Sequence, residues 1–180
     1  MTSTVRRRSL LAATLSLPAW PALAQAADPL APVHRFVGQW SGKSSGASGD
    51  ADVNRQYTLV LRGRYLHETN VSAYPPQEKN KTGERHEHWS MFSWDRQRKC
   101  LVLRQFHVES FVNTFRQTPD PEQPSRLVFD SESFENFSNL WKARETYEFS
   151  GDDAFVEVFE LAAPGKDFQV YSRTQLSRIR

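Results

Sequence analysis

NRQYTLVLRGRYLHETNVSAY, residues Asn54 to Tyr74, is the stretch whose reading decides the fold. Tyr57, Leu59 and Leu61 recur at every second position, and alternate residues of a strand point to one face. Arg62-Gly63 turns the chain, and Tyr65, His67, Thr69 and Val71 share one face of the return strand. The same pattern continues downstream. RHEHWSMFSWD and KCLVLRQFHVESFVNTF read as two strands joined by the short charged turn RQRK. RLVFDSESF, LWKARETYEFS, AFVEVFELAA and DFQVYSRTQLSR complete the set. The breaks between segments hold turn residues: PPQEKNKTGE, PDPEQPS, Gly151-Asp152-Asp153 and Pro164-Gly165. Only LAPVHRFVG offers a short helical turn.

Roughly eight to ten strands connected as sequential hairpins imply an antiparallel sandwich or an up-and-down barrel. The alternation favours a closed all-β sheet with one distinctive interior. An aromatic content of 12% suits a lumen lined partly by large rings.

The first residues, MTSTVRRRSLLAATLSLPAWPALAQAAD, have a different character. Arg6, Arg7 and Arg8 precede an apolar run, and Ala22-Leu23-Ala24 and Ala24-Gln25-Ala26 both have the small-residue form of a cleavage site. Residues 1–26 are expected to be a secretory signal, with RRSLL fitting the twin-arginine type, and residues 27–180 a single domain. Cleavage after Ala24 removes three of 23 basic residues and none of 21 acidic ones, turning a net charge of +2 into −1. Such a chain has no electrostatic case for nucleic acid. No later apolar run reaches membrane-spanning length, so no stable membrane anchor is expected after cleavage. The expected location is periplasmic or secreted. Cys100, the single cysteine, is expected as a buried apolar side chain.

FVGQWSGKSSG, residues 36–46, follows the helical turn and opens the first strand. Gly38-x-Trp40 in this place resembles the opening of lipocalins and other calycins. The resemblance implies that Trp40 plugs a closed barrel end and that an arginine of the last strand packs over its ring. Arg173 and Arg178 are available, and Arg173 is assigned the contact. The wider pattern, with HEHWSMF on a middle strand, resembles nitrobindin-like haem-binding barrels. YPPQEKNKTGERHEHW, RQFHVESFVNTF and ELAAPGKDFQVYSR look like segments of uncharacterised bacterial barrels of the same kind. The resemblance covers most of residues 27–180 and implies about ten strands around a ligand cavity. Nitrobindin-like barrels hold haem through a histidine late in the chain. This sequence has none after His107, so no proximal ligand is carried over.

His86 and His88 share a strand face with Ser90, Phe92 and Trp94, while Trp89 lies on the other. His107 shares a face with Gln105, Glu109 and Phe111. Pairing about RQRK puts His88 opposite a residue close to His107. His86, His88 and His107 then form a candidate divalent-metal set, with Glu68, His67 or Glu109 as a fourth ligand or base. A polar network without metal fits the same residues. Trp89, Trp94 and Trp141 are pocket candidates or plain core.

The expected function is binding of a small, mainly apolar ligand in the lumen, with haem, another tetrapyrrole or a lipid-like molecule as candidates. His107, Glu109, His88, Gln105, Trp89 and Trp94 are its expected contacts. The alternative is a metal-dependent or acid–base enzyme using the His/Glu cluster.

Overall fold

Residues 28–123 and 125–180 are described by a computed structural model. The expected signal over residues 1–26 lies outside them. A one-turn helix, α1 (Ala31–His34), precedes ten strands. These are β1 (Gly38–Gly46), β2 (Ala51–Val60), β3 (Tyr65–Tyr74), β4 (Glu84–Asp95), β5 (Cys100–His107), β6 (Val112–Thr118), β7 (Leu127–Glu135), β8 (Lys142–Phe149), β9 (Ala154–Ala162) and β10 (Gln169–Arg178). Every strand pairs antiparallel with its sequence neighbours, and β1 pairs with β10 to close an up-and-down barrel. No helix among the described residues is long and apolar enough to cross a membrane.

The decisive hairpin forms, with two local differences. Leu61, Arg62 and Gly63 all have positive φ and make the turn, so Leu61 is 68% exposed rather than aligned with Tyr57. In β3 the side facing the interior is Leu66, Glu68, Asn70 and Ser72, all buried, and Tyr65, His67, Thr69 and Val71 form the outer wall. The barrel interior is therefore polar where β3 crosses its middle. A second difference concerns residues 99–115, which are not one strand. Ser110 takes a left-handed conformation (φ 71°) and its N–H donates to the His107 carbonyl, turning the chain between β5 and β6. Cys100 is a free thiol, only half-buried because it is the first residue of β5.

One end of the barrel is closed. Trp40 lies fully buried there, and its indole N–H donates to the Phe36 carbonyl at 2.6 Å. Phe36 stacks on Tyr57 at 5.0 Å and meets Phe155 edge-on at 5.2 Å, while Leu30 and Val33 of the α1 segment cover the opening. Arg178 places its guanidinium 4.3 Å above the Trp40 ring and donates to the Arg35 and Val37 carbonyls. Arg178, not Arg173, thus makes the closing contact. Trp40 is registered opposite Arg178, whereas the inward residues of β10 are Thr174 and Leu176, leaving odd-numbered Arg173 exposed. Gly38 (φ 128°) leaves room for the guanidinium, since a Cβ there would sit 2.7 Å from Nη1 of Arg178.

The β1–β10 seam depends on close backbone approach. A Cβ on Gly42 would lie 1.8 Å from the Gln175 carbonyl oxygen, which is backbone and has little freedom to yield. Gly42→Val should therefore lower stability by about 3 kcal/mol or more, read as a shifted urea midpoint. An unchanged midpoint would show that the seam has slack the structure does not display.

Candidate functional site

The β4–β5 turn sets the register that assembles the site. The Asp95 carboxylate accepts from the N–H groups of Gln97 (2.9 Å) and Arg98 (3.0 Å). With the turn pinned, His88 lies directly opposite His107 on β5 and opposite Asn70 on β3. The three rings of His86, His88 and His107 converge, with centroids 5.3–5.7 Å apart. The expected convergence is therefore present in the geometry.

Polar contacts run in one direction from Asn113 through His107 and His86 to Glu109. Asn113 Nδ2 donates to His107 Nε2 at 3.1 Å. His107 Nδ1 then faces His86 Nε2 at 3.5 Å, and His86 Nδ1 donates to Glu109 at 2.8 Å. This order is self-consistent with neutral imidazoles, each having one donor and one acceptor nitrogen. Glu109 reaches His86 from the β5–β6 turn, not from the face of a continuing strand. Phe111, from the same turn, stacks on His107 at 4.2 Å. His88 is 9% exposed, and neither of its ring nitrogens has a hydrogen-bond partner among the described residues. Its Nε2 lies 3.6 Å from Glu68.

Below the histidines runs a belt of buried charge. Arg55 forms ion pairs with Glu157 and with Glu68 (3.3 Å), and its Nε donates to Asn70 at 2.9 Å. Burial alone would push the Glu68 carboxyl up, but Arg55, His88 and Ser90 around it bring it down to about 2. Glu145 goes the other way. Burial, then the facing Glu157 carboxylate, push it well above the usual carboxyl range. Gln105 Nε2 donates to Glu145 at 3.2 Å, joining belt to histidines through Asn113. Burial, then His88 and His86, lower His107 to about 2.

Above the belt the lumen is hollow. A cavity of about 590 Å³ is lined on one side by His86, His88, His107, Asn113 and Gln105. Phe134, Phe137, Trp141, Phe159 and Tyr171 supply an aromatic arc. The β7–β8 connection carries Phe137 and Trp141 over the lumen, held by Asn139, which accepts from Phe134 N–H (2.6 Å) and donates to its carbonyl (3.1 Å).

His88, His107, Gln105 and Glu109 all line this cavity. Two expected contacts do not. Trp89 is 61% exposed on the outer wall, edge-on to His67 and registered opposite Phe106, because it has the opposite parity from His88. Trp94 has the right parity but lies six residues along β4, packed against the apolar core, where it lines a separate crevice of about 400 Å³ with Leu30 and Tyr65. His67, being on the outer wall, is no fourth ligand. Arg55, Glu145, Glu157, Phe134 and Phe159 were not expected at the site. A polar residue set two positions from apolar ones, as in Val53-x-Arg55-x-Tyr57 or Ala143-x-Glu145-x-Tyr147, was the available signal.

No family model matches the chain, and no curated protein matches it. Among solved structures it is similar to Rv2717c from M. tuberculosis, with a TM-score of 0.60 and 14% identity over 87% of this chain and 100% of that one. The likeness is one of fold.

Two outcomes follow from the charge belt. At neutral pH, Glu68→Gln should cost about 3 kcal/mol or more because it breaks a buried ion pair, whereas Glu145→Gln should cost under about 1 kcal/mol because that carboxyl is already protonated. Equal urea midpoints for the two variants would refute this contrast. His107 should remain neutral in the folded state from pH 8 to 4. Below about 6.5 the unfolded chain takes up a proton that the folded chain does not. Stability should fall with pH by up to about 1.4 kcal/mol per unit from this residue. Depressed Glu68 adds loss of the same sign between about 4.5 and 2. An inflection of the His107 ring resonances near pH 6 would contradict this.

Proposed function

We propose that this barrel binds a small ligand with an apolar body and a polar head, held in the open half of the lumen. The observation that carries the reading is the 590 Å³ cavity with one aromatic and one polar side. Its volume falls within the range of about 300–1,000 Å³ usual for small-molecule sites. Phe134, Phe159 and Trp141 would bury the body, and His88, His107, Gln105 and Glu109 would orient the head. A tetrapyrrole such as haem and a lipid-like molecule both have this division, and haem is also what the nitrobindin-like resemblance suggests. The N-terminal sequence supports binding outside the cytoplasm, after cleavage near residue 26.

Separate titrations with haem, followed by its absorption band, and with a fluorescent fatty acid distinguish the two candidates. One of them should bind saturably. Phe159→Arg, which puts a charge among the aromatic rings, should weaken that binding by about tenfold or more. Absence of saturable binding by either probe to folded protein would count against the proposal.

A further inference from the structure

We infer that His86, His88 and His107 form a binding site for one divalent transition metal of the zinc class, with its open coordination position facing the lumen. Metal uptake needs only the three rings, so the inference stands apart from the organic ligand proposed above.

Four-coordinate Zn²⁺ binds imidazole nitrogens at about 2.0–2.1 Å, which separates two tetrahedral donors by roughly 3.4 Å. His86 Nε2 and His107 Nδ1 already stand 3.5 Å apart. That separation is long for a hydrogen bond and suited to two ligands of one ion. A nitrogen of His88 lies within 4.8 Å of both, so a modest ring movement completes a three-nitrogen set.

The surroundings of each ring are also those of a ligand. Metal-bound histidines usually have the non-ligating nitrogen held by a carboxylate or an amide. Glu109 holds His86 Nδ1 at 2.8 Å, leaving Nε2 for the ion. Asn113 lies 3.1 Å from His107 Nε2, and turning its amide presents an oxygen that accepts a hydrogen bond from Nε2–H once Nδ1 binds metal. Glu68 stands 3.6 Å from His88 Nε2. The most buried ring is the one without a hydrogen bond. Unpartnered nitrogens at a nine-tenths buried site are costly, and a metal bond would satisfy one of them.

Charge favours a cation here. Glu68 and Glu157 are two buried carboxylates that share a single buried guanidinium, Arg55, directly beneath the rings, which leaves one negative charge in excess. Neutral nitrogen donors, without thiolates and with carboxylates only in support, suit zinc and its neighbours over magnesium or calcium. The fourth position points into the same cavity that the three histidines line, open to water or to an oxygen or nitrogen donor from a bound molecule.

Calorimetric titration of chelator-stripped, untagged protein with Zn²⁺ at neutral pH tests the site. One equivalent should bind. His86→Ala, His88→Ala and His107→Ala should each weaken it about 100-fold or more, and Glu109→Gln about tenfold, while His67→Ala should change nothing. Should the alanine variants unfold, ring resonances of the unaltered protein give the answer. Zn²⁺ must move those of His86, His88 and His107 and leave those of His34 and His67 in place. The inference is overturned by absence of saturable binding or by an unchanged affinity in a folded His107→Ala variant. Loss of binding on Glu84→Gln with retention on His107→Ala would overturn it equally, by placing the ion on the exposed Glu84–His86–Glu109 group instead.

Discussion

Arg55 sits in the middle of the barrel with its side chain only 5% exposed, and a guanidinium there must be neutralised by immediate neighbours. Those neighbours come from both sides of the lumen. Glu68 is supplied by the adjacent strand β3, and Glu157 by β9, 102 residues away in sequence and on the far side of the seam. The ion pairs therefore connect the two ends of the sheet across the interior. They bring little net stability of their own, since desolvation offsets much of the Coulomb attraction. Their consequence is specificity: a register slip in β2 or β9 would strand a charge in a medium that penalises it.

This belt divides the interior into two materials. Toward the closed end, Trp40, Tyr57, Phe92, Phe129 and Tyr147 gather with Phe36 in one buried cluster of large rings. Toward the open end Ser44, Asn70, Ser72, Asn113 and Thr174 point inward beside the three histidines, and the rings of Phe134 and Phe159 line the wall without filling the axis. Short polar side chains at this barrel width cannot meet across the axis, so space remains. The hollow half thus results from side-chain volume, while strand number and closure are common to both halves.

Strand alternation made the architecture readable. Period-two patterning and turn residues carried the hairpins, and the Gly38-x-Trp40 element carried the closed end. The His88–His107 alignment was readable because a short turn with Asp95 leaves few registers. Three features were not. The β5–β6 turn passed for continuous strand because residues 105–113 keep strand-like composition, and the left-handed Ser110 has no obligatory residue type. Arg173 and Arg178 differ only in parity relative to Trp40, which depends on pairing across 138 residues of chain. AFVEVFELAA is apolar on both faces, so sequence alone could not show that Glu157 points inward among the carboxyls.

A fold shared with Rv2717c at 14% identity has a physical reading. Closing ten antiparallel strands constrains the seam glycines, the plug at the closed end and the parity of each strand. It constrains the open half of the lumen less, because residues there border a cavity on one side and meet neighbours only on the other. Positions 86, 88, 107 and 113 lie away from the seam and the plug, so substitution there is expected to change what the cavity can hold more than whether the barrel closes. Function in such a barrel must be argued from the lumen residues of each chain. Here those residues are imidazoles braced by Glu109 and Asn113, above an acidic belt and opposite an aromatic wall. The proposed ion and the proposed apolar molecule would share that one space, with the head of the molecule toward the open face of the ion.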